Sequence, residues 1–406
     1  MSGRARVVII GGSFGGLTAA YELRRHISSQ RGEITLIAKD DHFRFAPSFP
    51  WVATRRRRLD QISFPLGPPL AAKKVRFLNE TVAHIDTDAK VISTGAKEHP
   101  YDFCIIATGH RSANEAVPGL GPFDGPGHSP MSAPEPEELA QAIHRLRSEP
   151  GPVVIGAAPG ASCIGPVYEL AFELDHLLRR SGLRHQVPMV LLTPEPFLGH
   201  MGMGGAGTIR KLLESALEER DIAYRTSVEI TGITEEAVEA ASATPTPSIC
   251  SIIIPALAGV EAVASSKGLA NPKGFVPVDD HYRHPHAEGV YCVGVAIALP
   301  PVGATPVPVN FPKTGHMTEQ MAKIAAADLA ARLEGREAST AELSARCILD
   351  MGDRGAYIAV DPVRPPRDRI PHVSEGRQWL LAKMAFERVY LASARRGRLV
   401  PTAMGW

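Results

Sequence analysis

Arg6-Val7-Val8-Ile9-Ile10-Gly11-Gly12-Ser13-Phe14-Gly15-Gly16 is an apolar strand-like run that ends in a glycine-rich turn and passes into a helix-like segment, residues 17–23. This order sets backbone N–H groups at the positive end of a helix, where a pyrophosphate is held. The match to G-x-G-x-x-G is imperfect because Ser13 takes the middle glycine position, and a plain α/β turn would share the outline. Pro152-Val153-Val154-Ile155-Gly156-Ala157-Ala158-Pro159-Gly160, leading into residues 167–178, repeats the unit. The repetition predicts an α/β protein with two tandem Rossmann-like dinucleotide-binding domains plus a small C-terminal region.

Working outward, residues 33–37 read as the second strand of the first fold and residues 101–109 as a later strand closed by a tight turn. Residues 112–136, rich in Pro, Gly and Ser, read as the crossover between domains. Residues 189–193 and 251–254 continue the second fold, and residues 289–294 return the chain to the first. A helix is expected over residues 317–333. The domains are therefore placed at 1–115 with 275–335, at 116–274, and at 336–406.

The chain has 406 residues, too many for one ordinary domain, and its 44% hydrophobic and 21% charged residues are globular values. With 44 Lys+Arg against 43 Asp+Glu, the net charge of +1 gives no general attraction to nucleic acid. No apolar leader precedes the first strand and no run of about 18 apolar residues occurs, so a cytoplasmic chain with only peripheral membrane contact is expected. Cys104, Cys163, Cys250, Cys292 and Cys347 are too widely spaced for a zinc pattern, which points to redox use. His281, His284 and His286 lie together but lack supporting ligands, so no metal is expected. The run Arg55-Arg56-Arg57-Arg58 is read as solvated, with contact to anionic lipid as the alternative.

Ile105-Ile106-Ala107-Thr108-Gly109 and Gly289-Val290-Tyr291-Cys292-Val293-Gly294 resemble the two later FAD signatures of two-dinucleotide-domain flavoproteins. Asp40 and Asp41 follow the second strand, near a ribose, although Ala38-Lys39 holds the usual acidic spot. At the second glycine turn Pro159 and Ala161 intrude, so a pyridine nucleotide fits poorly. Cys163 stands at the expected helix start, where a dipole would stabilise its thiolate; a small buried residue is the plain alternative. His200, in a Leu-Gly-His turn, is a candidate proton acceptor.

Residues 156–168 (GAAPGASCIGPVY), 197–200 (FLGH), the Pro-rich stretch from Pro300, Phe311-Pro312-Lys313-Thr314-Gly315 and the segment from Cys347 to Gly355 resemble sulfide:quinone oxidoreductases, with the first match at Phe45 to Trp51. The resemblance covers nearly the whole chain. It implies FAD-dependent oxidation of sulfide at a Cys163/Cys347 redox pair, giving a persulfide or polysulfide, with two electrons passed to membrane quinone. It further implies FAD contacts at Gly11, Gly12, Ser13, Phe14, Gly15, Gly16 and Lys39. Val82, Thr108, Gly109, Gly294, Lys313 and Gly315 complete that set, with Lys313 beside the anionic reduced flavin. Quinone contacts fall on Ile348, Lys383, Phe386 and Tyr390. Sulfide, quinone and the cytoplasmic membrane face are the implied partners, and homo-oligomerisation stays open.

Two departures from the family qualify this. Met131 stands where many members have a third cysteine and Glu135 where a histidine follows it, so sulfur release would use another acceptor, such as sulfite or a thiol. The C-terminal segment is shorter than usual, yet residues 379–391 have the composition of an interfacial helix; a docking helix is the alternative. Competing readings are a sulfide dehydrogenase flavin subunit with a haem partner, a type II NADH:quinone dehydrogenase, and a non-catalytic flavin-binding protein.

Overall fold

Val7 to Ile10 are all buried, as in a strand covered on both faces of a parallel sheet. The computed structural model of the chain describes residues 4–95, 97–121 and 125–400. Its principal strands begin with β1 (Ala5–Ile10), β2 (Gly32–Ala38), β3 (Arg76–Asn79), β4 (Phe103–Ile106) and β5 (Gly127–His128). Next come β6 (Val153–Ala157), β7 (Met189–Leu192), β8 (Ile222–Arg225), β9 (Cys250–Ile254) and β10 (Val290–Cys292). Last are β11 (Ala345–Asp350), β12 (Gly355–Val360) and β13 (His372–Gly376). The helices that frame the site are α1 (Phe14–His26), α2 (Phe49–Ala53), α3 (Glu135–Arg145), α4 (Gly165–Arg180), α5 (Gly315–Leu333) and α6 (Arg377–Ala394).

The first sheet runs β10-β4-β1-β2-β3 and the second β5-β9-β6-β7-β8, and every pairing in both is parallel. In each, the strand before the glycine turn is central and is flanked by the next strand of its own unit. The repetition read from the sequence is thus a repetition of topology. The sheets differ at one edge: β10 closes the first from late in the chain, whereas β5 joins the second from the stretch expected to be crossover. Helix α1 packs on α5, which ties the first glycine turn to the returning segment.

β11, β12 and β13 make a separate antiparallel sheet in which Cys347 lies opposite Ile358. This sheet rests against α4 and α6. Helix α4 begins at Gly165, two residues beyond Cys163, with Pro166 in its first turn. Proline has no N–H to waste there and its φ suits the helix, so the start is set by Gly165-Pro166 and not by the cysteine. Helix α6 buries Phe386, Tyr390, Leu391 and Ala394, and Tyr21 Oη donates to Ala394 O at 2.8 Å. The docking alternative therefore describes this face of α6, while Leu381 on it is 65% exposed.

Candidate active site

At the first glycine turn Gly11 has φ +112°, and a Cβ there would lie 2.2 Å from Ala107 O; a Cβ on Gly16 would lie 1.8 Å from Gly11 O. Both positions require glycine, because the turn passes so close to β4 and to itself. Ser13 is the N-cap of α1 yet makes no side-chain cap bond, and the first turn has no acidic residue. The N–H groups of that turn are thereby suited to a phosphate. Thr108 Oγ1 and His110 Nε2, just past β4, are buried polar atoms without a hydrogen-bond partner among the described residues, and Gly109 has φ +72° with open space around it. Such orphaned groups call for a polar ligand.

Lys313 Nζ donates to Val295 O at 3.0 Å and Ile297 O at 2.7 Å, and lies 4.3 Å from the Phe275 ring centre. Burial pushes its pKa down to about 8. Gly294 has φ +74°, and Gly315 opens α5 against Phe14. Together these residues fit the pyrophosphate and ring of a flavin dinucleotide. Lys39 is exposed, with its carbonyl held by Asn79, and Val82 is half-buried in a separate small sheet. Asp40 pairs with Arg44 at 3.5 Å and Asp41 with His42 at 2.6 Å, so both carboxylates are engaged beside the cradle.

In the second unit the equivalent turn is held by the returning chain and by buried side chains. Gly160 N donates to Pro308 O, and Asn310 Nδ2 donates to Gly160 O at 2.7 Å. Glu195 follows β7, where an acidic residue would hold a nucleotide ribose. Here it is fully buried, accepting from Tyr168 Oη, Thr193 Oγ1 and the Met201 N–H. A nicotinamide dinucleotide has no free acceptor there.

Cys163 and Cys347 are free thiols, each partly exposed, brought together where α4 meets β11. The charge of Cys163 acts on Cys347, so the two sulfurs stand within electrostatic reach. A helix-stabilised thiolate was expected at Cys163, and the structure shows the reverse. Burial first, then the charge of Glu169, pushes Cys163 up to about 11; the same two causes raise Cys347 to about 12 against the pull of Lys383. Desolvation and a nearby carboxylate outweigh a helix dipole that starts two residues downstream.

Behind the thiols lies a buried charge cluster. Lys383 Nζ donates to Glu169, Arg56 to Asp350 and Arg57 to Glu387 at 2.8 Å. The Trp51 ring receives all three cations on its faces, Arg56 at 5.1 Å, Arg57 at 4.9 Å and Lys383 at 5.2 Å, and its Nε1 donates to Asp350 at 2.7 Å. The arginine run is thus not simply solvated: Arg56 and Arg57 fold inward because buried carboxylates and an indole face await them. Burial lowers the Lys383 pKa, but Glu169, Asp350 and Glu173 more than offset it, so the ammonium stays charged. Lys383 is thereby committed to this cluster, whereas Phe386 and Tyr390 form an aromatic group with Phe14, Phe43 and Phe45. Ile348, next to Cys347, is buried opposite Tyr357.

His200 is buried, stacks edge-on against Phe197 at 5.3 Å and accepts the Gly202 N–H on Nδ1. Burial lowers its pKa, so it is neutral near pH 7. Among the described residues no hydrogen bond joins it to either thiol. Residues missed in the sequence are Glu169, Glu173, Glu195 and Asp350. The first two stand six and ten residues after Cys163, one helical turn apart in an otherwise apolar run, and that spacing was the available signal.

Residues 5–324 match the pyridine nucleotide-disulphide oxidoreductase family. The chain is 36% identical to the sulfide-quinone reductase of Aquifex aeolicus over 405 residues, covering 98% of this chain and 92% of that protein. The X-ray structure of the Aquifex aeolicus sulfide:quinone oxidoreductase superposes with a TM-score of 0.94, covering 98% of this chain and 93% of that one. A type II NADH:quinone oxidoreductase of Staphylococcus aureus is 27% identical over 117 residues, 29% of each chain. On the full-length identity and the shared architecture, the chain belongs to the pyridine nucleotide-disulphide oxidoreductase family and, within it, to the sulfide:quinone oxidoreductases.

Proposed function

We propose that the protein oxidises sulfide at Cys163 and Cys347 and passes two electrons through FAD to a quinone. The observation that carries this reading is the meeting of two thiols from distant parts of the chain at a carboxylate, Glu169. Full-length similarity to a sulfide-quinone reductase supports the same substrates. FAD, when bound, supplies the two-electron carrier between thiols and quinone. Gly11 to Gly16, Thr108, Gly109, Gly294, Lys313 and Gly315 would hold it.

In the oxidised protein Cys163 and Cys347 are joined as a disulfide. Hydrosulfide attacks one sulfur: a new S–S bond forms, the old one breaks, and the other cysteine leaves as thiolate. Glu169, whose charge reaches both sulfurs, takes the hydrosulfide proton, and Lys383 steadies the carboxylate. The thiolate is then the electron donor, and Lys313 offers a positive charge to the reduced cofactor. Phe386, Tyr390 and Ile348 would provide the apolar contacts of the quinone. The exposed Ile370 (91%) and Leu381 (65%) suit a membrane surface, and among the described residues no helix is long and apolar enough to cross a bilayer. Oxidation of NADH is disfavoured by the occupied Glu195.

Anaerobic titration of the FAD-loaded protein with sulfide, then with a soluble quinone, checks the reading. The flavin absorbance bleaches with sulfide and returns with quinone. A yellow protein indifferent to sulfide and bleached by NADH would overturn it.

A further inference from the structure

Charge matching in the buried cluster leaves one carboxyl over. Lys383 meets Glu169, Arg56 meets Asp350 and Arg57 meets Glu387, but among the described residues no cation hydrogen-bonds Glu173, which is 2% exposed. A lone buried carboxylate is too costly to keep ionised, so the group holds its proton. The Thr54 hydroxyl can take that proton on. Thr54 Oγ1 lies 2.9 Å from both Pro50 O and Glu173 Oε2, and a hydroxyl has one hydrogen. Pro50 O also accepts the Thr54 N–H at 3.0 Å, so the hydroxyl can turn its hydrogen to either neighbour, accepting from Glu173 when that carboxyl is protonated and donating to it when it is not.

The other oxygen, Glu173 Oε1, is buried with no hydrogen-bond partner among the described residues, and Glu169 stands one helical turn before it on α4. Glu169 in turn acts on both thiols. At the far end, Thr54 lines a cavity of about 290 Å³ bounded by α2, α3 and α4, with Arg55, His144 and Arg147 on its wall. Glu169 and Glu173 one turn apart, Thr54 against Glu173, and the cavity beside Thr54 thus follow one another in order.

We infer that Glu173 is a proton-relay residue, carrying the proton of hydrosulfide from Glu169 through the Thr54 hydroxyl to the cavity beside His144. The inference rests on the sulfide reading above. The balance is simple: HS⁻ yields a sulfur atom that stays on cysteine, two electrons that leave through FAD to quinone, and one proton that takes this path. The charged groups facing Glu173 are Glu169 on its own helix, Asp350 from β11, Lys383 from α6 and Arg56 from the end of α2. Asp350 and Glu169 raise its pKa after burial, and the two cations lower it by less.

Glu173→Gln keeps the shape and the donor to Thr54 but cannot release a proton. In full-length, FAD-loaded protein, sulfide-driven bleaching slows about tenfold to hundredfold, and its solvent deuterium isotope effect changes. Thr54→Val has the same effect and Thr54→Ser restores the rate. Independently of turnover, the infrared spectrum of the wild type contains a neutral carboxylic C=O band that Glu173→Gln removes. Wild-type bleaching with equally fast variants, or a spectrum in which that band is unaltered by Glu173→Gln, overturns the relay and leaves the sulfide reading standing. Absence of bleaching in the wild type itself overturns both.

Discussion

Residues 11–16 and 156–161 hold the same place in two copies of one strand-turn-helix unit, and they have been put to different uses. The first turn is all backbone, with Gly11 at φ +112° and Gly16 against a carbonyl, so a phosphate can approach. The second has Gly160 at φ +78° but is closed by Asn310 and Pro308, and the acidic residue that would meet a ribose is spent on Tyr168, Thr193 and Met201. What the second unit offers instead is Cys163, held near Cys347 and Glu169. The second unit loses the ligand's place to groups from the returning chain and to its own buried side chains, with each turn still following a central strand.

The sharpest way to break this comparison is at the thiols. Cys163→Ser and Cys347→Ser each retain FAD, read from the bound flavin absorbance, and lose sulfide-driven bleaching altogether; turnover in either variant would return the second turn to a nucleotide reading. A smaller effect separates the glycines. Gly11→Ala drives a Cβ into Ala107 O and purifies with little FAD, whereas Gly160→Ala meets nothing closer than 3.7 Å. The latter costs only the about 1–2 kcal/mol of a left-handed residue, seen as a modest fall in thermal midpoint with FAD retained. The smallest effect concerns the thiol pKa values. Because Cys163 and Cys347 are raised to about 11 and about 12, alkylation of the reduced protein by iodoacetamide is slow near pH 7. Its rate climbs as pH rises towards those values; a plateau below pH 8 would mean that a thiolate is present at rest.

Much of this was legible in the sequence because the signals are local. Gly11, Gly12, Gly15 and Gly16 after an apolar strand, and the repeat at Gly156, contain the parallel sheets within short windows. The start of α4 was legible too, in Gly165-Pro166, but the cysteine drew attention two residues early. The charge cluster was not legible, since Arg56 and Asp350 are 294 positions apart and Arg57 and Glu387 330 apart. A run of arginines reads as solvated until partners at that distance are known. Glu169 and Glu173 were hidden for the opposite reason: they sit in a helix buried over nearly its whole first half, so no polar face set them off. Residues 379–391 show composition failing alone, because Phe386 and Tyr390 suit an aromatic core as well as a lipid surface.

The placement of β11 and α6 has a consequence for how the protein is made. Every residue assigned to the cofactor cradle lies before residue 316, while Cys347, Asp350 and Lys383 emerge from the ribosome later. A growing chain can assemble its first sheet while Cys163 still lacks Cys347. The two thiols meet only after the cradle is in place, when β11 reaches α4, and Lys383 then reaches a carboxylate 214 residues behind it.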